Sequence, residues 1–273
     1  INTEGANVKD SKLLEARIWN YIPSLPLLTR DDAKKFKMKI EGDCHSSCIM
    51  INEQNIHIAD SAKISAGVIL DATDGSIIID DEAFIDIGAL IKGNTYIGKN
   101  STINPGAKLN HASIGPHCKI GGEVERSTFH GYSNKQHDGY LGHSYIGEWV
   151  NLGANTNNSD LKNNYSNVKF KIGDYEIDTG KMFVGCMIGD YTKTGISTML
   201  NTGTYIGLGA NVFGGGFQDK FIPSFSWGEN DRTDLDKFLS TLRIVKGRRG
   251  KTLSENEVDF ITNFYNSNKS NKL

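Results

Sequence analysis

The reactive side chains of this chain crowd into one stretch. Residues 121–165 read GGEVERSTFHGYSNKQHDGYLGHSYIGEWVNLGANTNNSDLKNNY, with a lysine, Lys169, just beyond. Imidazole titrates near neutrality, so a histidine such as His137 could act as a general base at physiological pH, an effect worth about 10²–10⁴-fold in rate. The stretch is rich in His, Lys, Tyr and Asn, side chains that supply the acceptors and donors a polar substrate needs. Other chemistries are weaker. Cys44-His45-x-x-Cys48 lacks the second knuckle a zinc site needs. Cys186 could be a covalent relay, but a thiol beside a repeat glycine is first of all a packing residue. The basic run Lys246-Gly-Arg248-Arg249-Gly-Lys251 could hold phosphates. It could equally be a solvated turn between helices.

The elements that position these residues follow from a repeat. Aliphatics recur every six residues at Ile58, Ile64 and Leu70, then at Ile79, Ile85, Ile91, Ile97, Ile103 and Leu109. Small or β-branched residues stand four positions later, as at Ala62, Val68, Ala83, Ala89, Thr95, Ser101 and Ala107. A helix of 3.6 residues per turn would smear a six-residue period over its surface. In a strand, side chains alternate, so an aliphatic and the residue two before it face the same side. Three six-residue units then close a triangular coil of about 18 residues, with Ile79 over Ile97, Ile85 over Ile103 and Ile91 over Leu109 at the ~4.8 Å strand spacing. The pattern returns at Ile114, Ile120, Ile146, Leu152, Ile188 and Ile206. Residues 123–145 and 156–171 interrupt it and read as loops thrown out of the scaffold, where function usually sits.

Helices are expected only at the ends. Residues 9–22 carry an apolar stripe (Leu13, Leu14, Ile18, Ile22) that stops before Pro23. Leu235, Phe238, Leu239 and Leu242 form a second stripe, and Ser254 with Glu257 predicts a capping box with a Leu253–Val258 staple. The division is therefore a helical or linker segment over 1–44, a β-solenoid over 45–225 and a helical segment over 226–273.

Composition excludes several classes. The 273 residues hold 30 Lys+Arg against 32 Asp+Glu, a formal net charge of −2, which gives no electrostatic footprint for nucleic acid. No run of about 18 apolar residues or secretory leader is visible, so no membrane partner is expected. Four cysteines are too few for a disulfide framework, which points to a reduced, cytoplasmic setting.

The segments His137-Asp-Gly-Tyr140-Leu-Gly, Tyr145-Ile-Gly-Glu-Trp-Val-Asn151-Leu-Gly-Ala154 and Asn164-Tyr165 resemble a known family. It is the acetyltransferase half of the bifunctional glucosamine-1-phosphate N-acetyltransferase / UDP-N-acetylglucosamine pyrophosphorylase, in its divergent Bacteroidetes-type form. The resemblance runs from about Ile56 to Phe225. It implies a left-handed β-helix, against the usual right-handed crossover, and a homotrimer with acetyl-CoA lying between solenoids. It implies His137 as catalytic base, with Glu123, Tyr140, Asn151, Asn164, Tyr165 and Lys169 around an amino-sugar phosphate. Ala154 and Cys186 fall on acetyl-CoA contacts, and Arg248 and Arg249 could reach its nucleotide phosphates. The product would feed UDP-N-acetylglucosamine and cell-wall synthesis.

Two positions depart from the family. Asn104 replaces a basic residue before Pro105-Gly106-Ala107, and Glu125-Arg126 replaces a pair of lysines, so Arg126 is the phosphate partner that remains. The glycine-rich nucleotide fingerprint of the pyrophosphorylase half is absent from residues 1–55, so any nucleotidyltransferase domain is expected before Ile1. Acetyl transfer to an amine needs a base and donors for the oxyanion, and the Gly153-Ala154 turn is one source of N–H groups. Two other readings stand beside this one. The first is a non-catalytic solenoid scaffold of a sugar nucleotidyltransferase. The second is a γ-carbonic-anhydrase-like zinc enzyme using His111/His117 or His137/His143. Neither pair, spaced by six, obviously converges on one metal.

Overall fold

A computed structural model describes residues 36–173 and 175–268. The helix expected over 9–22 lies outside the described residues. From Ile40 onward the chain winds into a parallel β-solenoid with three faces. The first face carries Asp43–Cys44, Lys63–Ile64, Phe84–Ile85, Thr102–Ile103, Lys119–Ile120 and Asn134–Lys135. The second carries Ile49–Ile51, Ile69–Asp71, Leu90–Lys92, Lys108–Asn110, Glu123–Glu125 and Tyr140–Gly142. The third is a nine-stranded sheet from Ile56–Ile58 to Phe221–Ile222.

The registers are those the six-residue period demands. Ile79 pairs with Ile97, Ile85 with Ile103 and Ile91 with Leu109. These aliphatics, with Ala62, Val68, Ala83 and Ala107 between them, make one continuous buried core. Fully burying each such isoleucine is worth about 1.5–3 kcal/mol. Each coil covers only its neighbours, so the core has no centre and is as long as the solenoid.

The first interruption is not a loop, contrary to the reading of residues 123–145. Strands Glu123–Glu125, Thr128–Gly131, Asn134–Lys135 and Tyr140–Gly142 keep to the three faces. The period is hidden because the corners are short and uneven, the shortest step being from the first face to the second. Residues 104–107 link the first face to the second in one coil and 136–139 do so two coils on, but between them only Gly121 and Gly122 make the turn. The second interruption is a true excursion. The chain leaves the solenoid after Asn158, forms the antiparallel hairpin Lys169–Ile172/Tyr175–Asp178, and returns at Cys186–Ile188. Val168, Phe170 and Val184 of this excursion pack on Met187 and Tyr205 of the third face.

At the corner joining the third face to the first, coil after coil from Glu82 onward places a residue with positive φ, the aromatic ones being His117, Tyr132, Trp149, Tyr191 and Phe225. Their rings stack, His117 on Tyr132 at 4.6 Å and Tyr132 on Trp149 at 4.4 Å. Two helices cover the later part of this ladder, α1 (Leu235–Gly247) and α2 (Glu255–Ser267). Phe238, Leu239 and Leu242 of α1 face it, as their spacing predicts. Ser254 and Glu257 form the expected capping box at the start of α2.

Candidate active site

His137 lies in the turn 136–139, between the strand that ends at Lys135 and the one that begins at Tyr140. Its ring is exposed and has no hydrogen-bond partner among the described residues. Its backbone, by contrast, is held. Lys135 pairs in register with Ile120 and so points inward, where the preceding coils carry Ile64, Ile85, Ile103 and Ile120. Only 2% of Lys135 is exposed. Its Nζ donates to the carbonyl of Gly121 at 2.9 Å and to that of His137 at 3.1 Å. Burial pulls the ammonium down to about 8, against the opposing pull of Asp138 and Glu123. Asn104 Nδ2 donates to the neighbouring carbonyl of Gln136 at 2.8 Å.

A second group sits at the far end of the same strand. The Tyr140 hydroxyl donates to Asp160 Oδ2 at 2.8 Å, and His143 Nδ1 lies 2.7 Å from the same oxygen. Phe183 stacks on His143 at 5.3 Å. Burial, then the hydrogen bond to Asp160, holds the Tyr140 hydroxyl well above the usual tyrosine range. Burial alone would raise Asp160, but the bonds from His143 and Tyr140 outweigh it and the carboxyl is lowered. Two asparagines place this carboxylate. Asn157 Oδ1 accepts the Tyr140 N–H and Asn158 Oδ1 accepts the Gly142 N–H, both at 2.8 Å. Side-chain amides thus replace a strand partner just before the chain turns away.

The other candidates distribute as follows. Glu123 is exposed and stands beside Tyr140 in register on the second face. Arg126 is exposed at the next corner, with Nε 3.9 Å from Glu125 Oε1. The register Asn110–Glu125–Gly142 stacks His111, Arg126 and His143 on that corner. Asn151 is exposed on the first face beside Asn134, whose Nδ2 donates to it at 3.4 Å. In the 153–156 turn the Gly153 N–H is already bonded to Thr194 Oγ1 at 2.9 Å, leaving Ala154 N–H as its available donor.

Several candidates lie apart from His137 within one chain. Asn164, Tyr165 and Lys169 belong to the excursion, where Asn164 accepts from Ser166 N and Lys169 pairs with Glu176 at 2.7 Å. Cys186 is buried inside the solenoid, its Sγ 3.3 Å from Ser144 Oγ and its thiol pushed up to about 12 by burial. Arg249 bonds Asn134 Oδ1 at 3.0 Å and the His117 carbonyl at 3.4 Å, so it anchors the end of α1 to the solenoid. Arg248 remains exposed. Lys246 is not in a solvated patch: it is buried, ion-paired with Glu257, and lies 5.5 Å from the Trp149 ring. Among the described residues no three His, Cys, Asp or Glu side chains converge as metal ligands. No helix among them is long and apolar enough to cross a membrane.

Lys135 and Asp160 are the residues that inspection of the sequence passes over. Lys135 reads as one more surface charge unless the coil register is carried through the short corner, when it falls on the inward ladder. Asp160 lies 17 residues from His143 in a polar run and carries no local signal.

A triangular parallel solenoid of six-residue units defines the hexapeptide-repeat class. Within it, the chain is similar in sequence to bifunctional sugar-1-phosphate nucleotidylyltransferase/acetyltransferases. It is 32% identical over 170 residues to the protein of that name from Sulfurisphaera tokodaii, covering 61% of this chain and 40% of that one. It is 28% identical over 199 residues to the bifunctional protein GlmU of Nostoc, covering 65% and 40%. The chain thus spans about 40% of the length of these relatives. No family model matches it. Among solved structures, the UDP-N-acetylglucosamine acyltransferase of Francisella novicida covers 81% of this chain and is itself covered to 78%, at TM-score 0.48 and 16% identity. A putative acetyltransferase from Bacillus cereus covers 82% and is covered to 99%, at TM-score 0.33 and 15% identity.

Proposed function

We propose that this chain is an acetyl-CoA-dependent N-acetyltransferase acting on an amino-sugar phosphate, with glucosamine-1-phosphate as its first substrate to test. One observation supports this most. The turn carrying His137 opens directly onto Tyr140 and Glu123, a polar strand face backed by Asp160. The chain is also similar in sequence to a relative named as a nucleotidylyltransferase/acetyltransferase.

His137 accepts a proton from the sugar ammonium, and the freed amine attacks the thioester carbonyl. The oxyanion accepts a hydrogen bond from the Ala154 N–H, the C–S bond breaks as the attacking nitrogen gives up its second proton to solvent, and coenzyme A leaves as the thiol after protonation by the same imidazole. Glu123 and Tyr140 orient the sugar. Asn104 is committed to the Gln136 carbonyl, so the phosphate falls to Arg126. Cys186 takes no covalent part, because its thiol lies inside the core. Asn164 and Lys169 of the excursion and the exposed Arg248 serve the site of a neighbouring solenoid in this reading, a homotrimer with the cosubstrate between chains, while Arg249 stays bonded to its own solenoid.

A second reading of the base rests on the His143–Asp160 pair, the histidine on this strand that has a carboxylate to orient it. The test is coenzyme A release from acetyl-CoA with glucosamine-1-phosphate, for wild type, His137→Ala and His143→Ala. Release that needs the sugar phosphate and falls at least about 100-fold in His137→Ala supports the first reading. A loss of that size in His143→Ala alone transfers the role to His143. No release in wild type sinks the substrate.

A further inference from the structure

An interior lysine is a costly choice in a solenoid. The four preceding coils of the first face fill the equivalent position with isoleucine (Ile64, Ile85, Ile103 and Ile120) and the first coil with Cys44, and a buried ammonium loses its hydration where an aliphatic would gain. Exchanging a buried charge for an apolar residue of like volume is often neutral or stabilising. Fold stability alone therefore does not account for Lys135.

What the side chain does instead is geometric. The short corner at Gly121–Gly122 leaves room beneath the next turn, and Lys135 enters it. Gly122 leaves space for this, since a Cβ there would stand 2.7 Å from Nζ and 2.9 Å from the His137 carbonyl. Nζ ties the corner before the turn, through Gly121, to the turn itself, through His137. Asn104 pins the adjacent Gln136 carbonyl from the coil beyond. Two consecutive carbonyls of the 136–139 turn are thus fixed by side chains. The His137 ring has no partner of its own among the described residues, so its place is set by that backbone.

We infer that Lys135 is a positioning residue for His137, an interior strut that holds the turn in the shape presenting the imidazole to the second face. This rests on the reading of His137 as the base. A misplacement of about 1 Å can cost on the order of 10²-fold in rate.

The test uses Lys135→Met, which keeps length but loses the donors, and Lys135→Ile, which restores the ladder's own residue. Circular dichroism and thermal melting report the fold, steady-state kinetics report kcat and KM, and the His137 ring ¹H–¹³C cross-peak, assigned with His137→Gln, reports its environment. The expected result at pH 7 is a melting temperature no lower than wild type, a kcat reduced about 10²-fold, a KM for acetyl-CoA changed less than about 2-fold, and a displaced or split His137 cross-peak. A folded variant with unchanged kcat and an unmoved cross-peak overturns the inference. So does unfolding of both variants, which makes Lys135 a stability element. Should His137→Ala retain the full rate, the base assignment fails instead, and the cross-peak still reports whether Lys135 holds the turn.

Discussion

Asp160 Oδ2 receives the Tyr140 hydroxyl at 2.8 Å and faces His143 Nδ1 at 2.7 Å. One carboxylate oxygen therefore joins the site strand to the chain just as it departs on the 159–185 excursion. Both partners are more than half buried, where a charge-assisted bond is strong and an unpaired one expensive. The excursion is thus coupled to the candidate site through a single side chain.

Asp160→Asn tests that coupling. Removing the charge should lower kcat/KM for the sugar phosphate by about 10–100-fold, in line with about 1.5–3 kcal/mol for a hydrogen bond to a charged group. It should also let the Tyr140 hydroxyl titrate at lower pH, because Asp160 helps hold it up. Ultraviolet difference titration against Tyr140→Phe measures this. An unchanged tyrosine titration would mean that burial alone sets it.

The buried ammonium of Lys135 makes a prediction about pH. Its folded value, about 8, lies below the ordinary 10.5. Between those values the unfolded chain binds more protons, so this group's contribution to stability rises with pH. Below pH 8 the penalty is present in full. Lys135→Met should therefore exceed wild type in stability at pH 7, and the gap should close toward pH 10. Its upper bound is about 3 kcal/mol at about 1.4 kcal/mol per unit. Paired denaturant titrations at each pH read the difference, in which the other titrating groups cancel. A gap constant from pH 7 to 10 would refute it.

Much of this architecture is written in the repeat. Ile79, Ile85 and Ile91 stack on Ile97, Ile103 and Leu109 because a strand period and a corner length leave no other register. The reading failed over 123–145 for a physical reason. The inward positions after Ile120 fall at Val124, Phe129 and Lys135, at spacings of four, five and six with a lysine as the third, so both the spacing and the polarity of the repeat are masked. His137 and Tyr140 stand together in the sequence as a motif, and the structure places them at one turn and the strand that follows it. The partnership of His143 with Asp160 was not legible, since it depends on where the excursion leaves the solenoid. The basic run near the C-terminus misled by composition: Lys246 and Arg249 bond inward to Glu257 and Asn134.

That inward bonding carries its own prediction. Lys246 joins α1 to α2 through Glu257, whose carboxyl burial would raise but which Lys246 and Ser254 hold below the usual range. Lys246→Met leaves Glu257 without its cation and should cost about 2–3 kcal/mol, at the low end for a broken buried pair because Glu257 is partly exposed. Glu257→Gln added to it should restore part of the loss. Because the carboxyl is lowered on folding, its contribution is present at neutral pH and fades as pH falls through the folded value. Urea titrations of the two single variants and the double variant from pH 7 to pH 3 measure both effects. Additive losses would mean that the pair is not coupled.

The thiols offer a last prediction, and it bears on any assay of coenzyme A release. Cys118 and Cys186 are buried and their thiols are pushed up to about 12, while Cys44 and Cys48 are partly exposed. At pH 7 a group titrating near 12 is thiolate to on the order of 10⁻⁵. The native protein should therefore give two slowly reacting thiols per chain with an aromatic disulfide reagent, and four once unfolded in guanidinium. A release assay with such a reagent needs a protein-only baseline for Cys44 and Cys48. Direct acetyl transfer further requires Cys186→Ala to keep kcat within a fewfold of wild type and to form no acetyl-protein on mixing with acetyl-CoA. An acetyl group trapped on Cys186 in the wild type, detected by mass spectrometry of the quenched protein, would replace the direct mechanism with a relay. The buried position of that sulfur in the solenoid core opposes this outcome, because neither the thioester nor the amine could reach it without opening a coil.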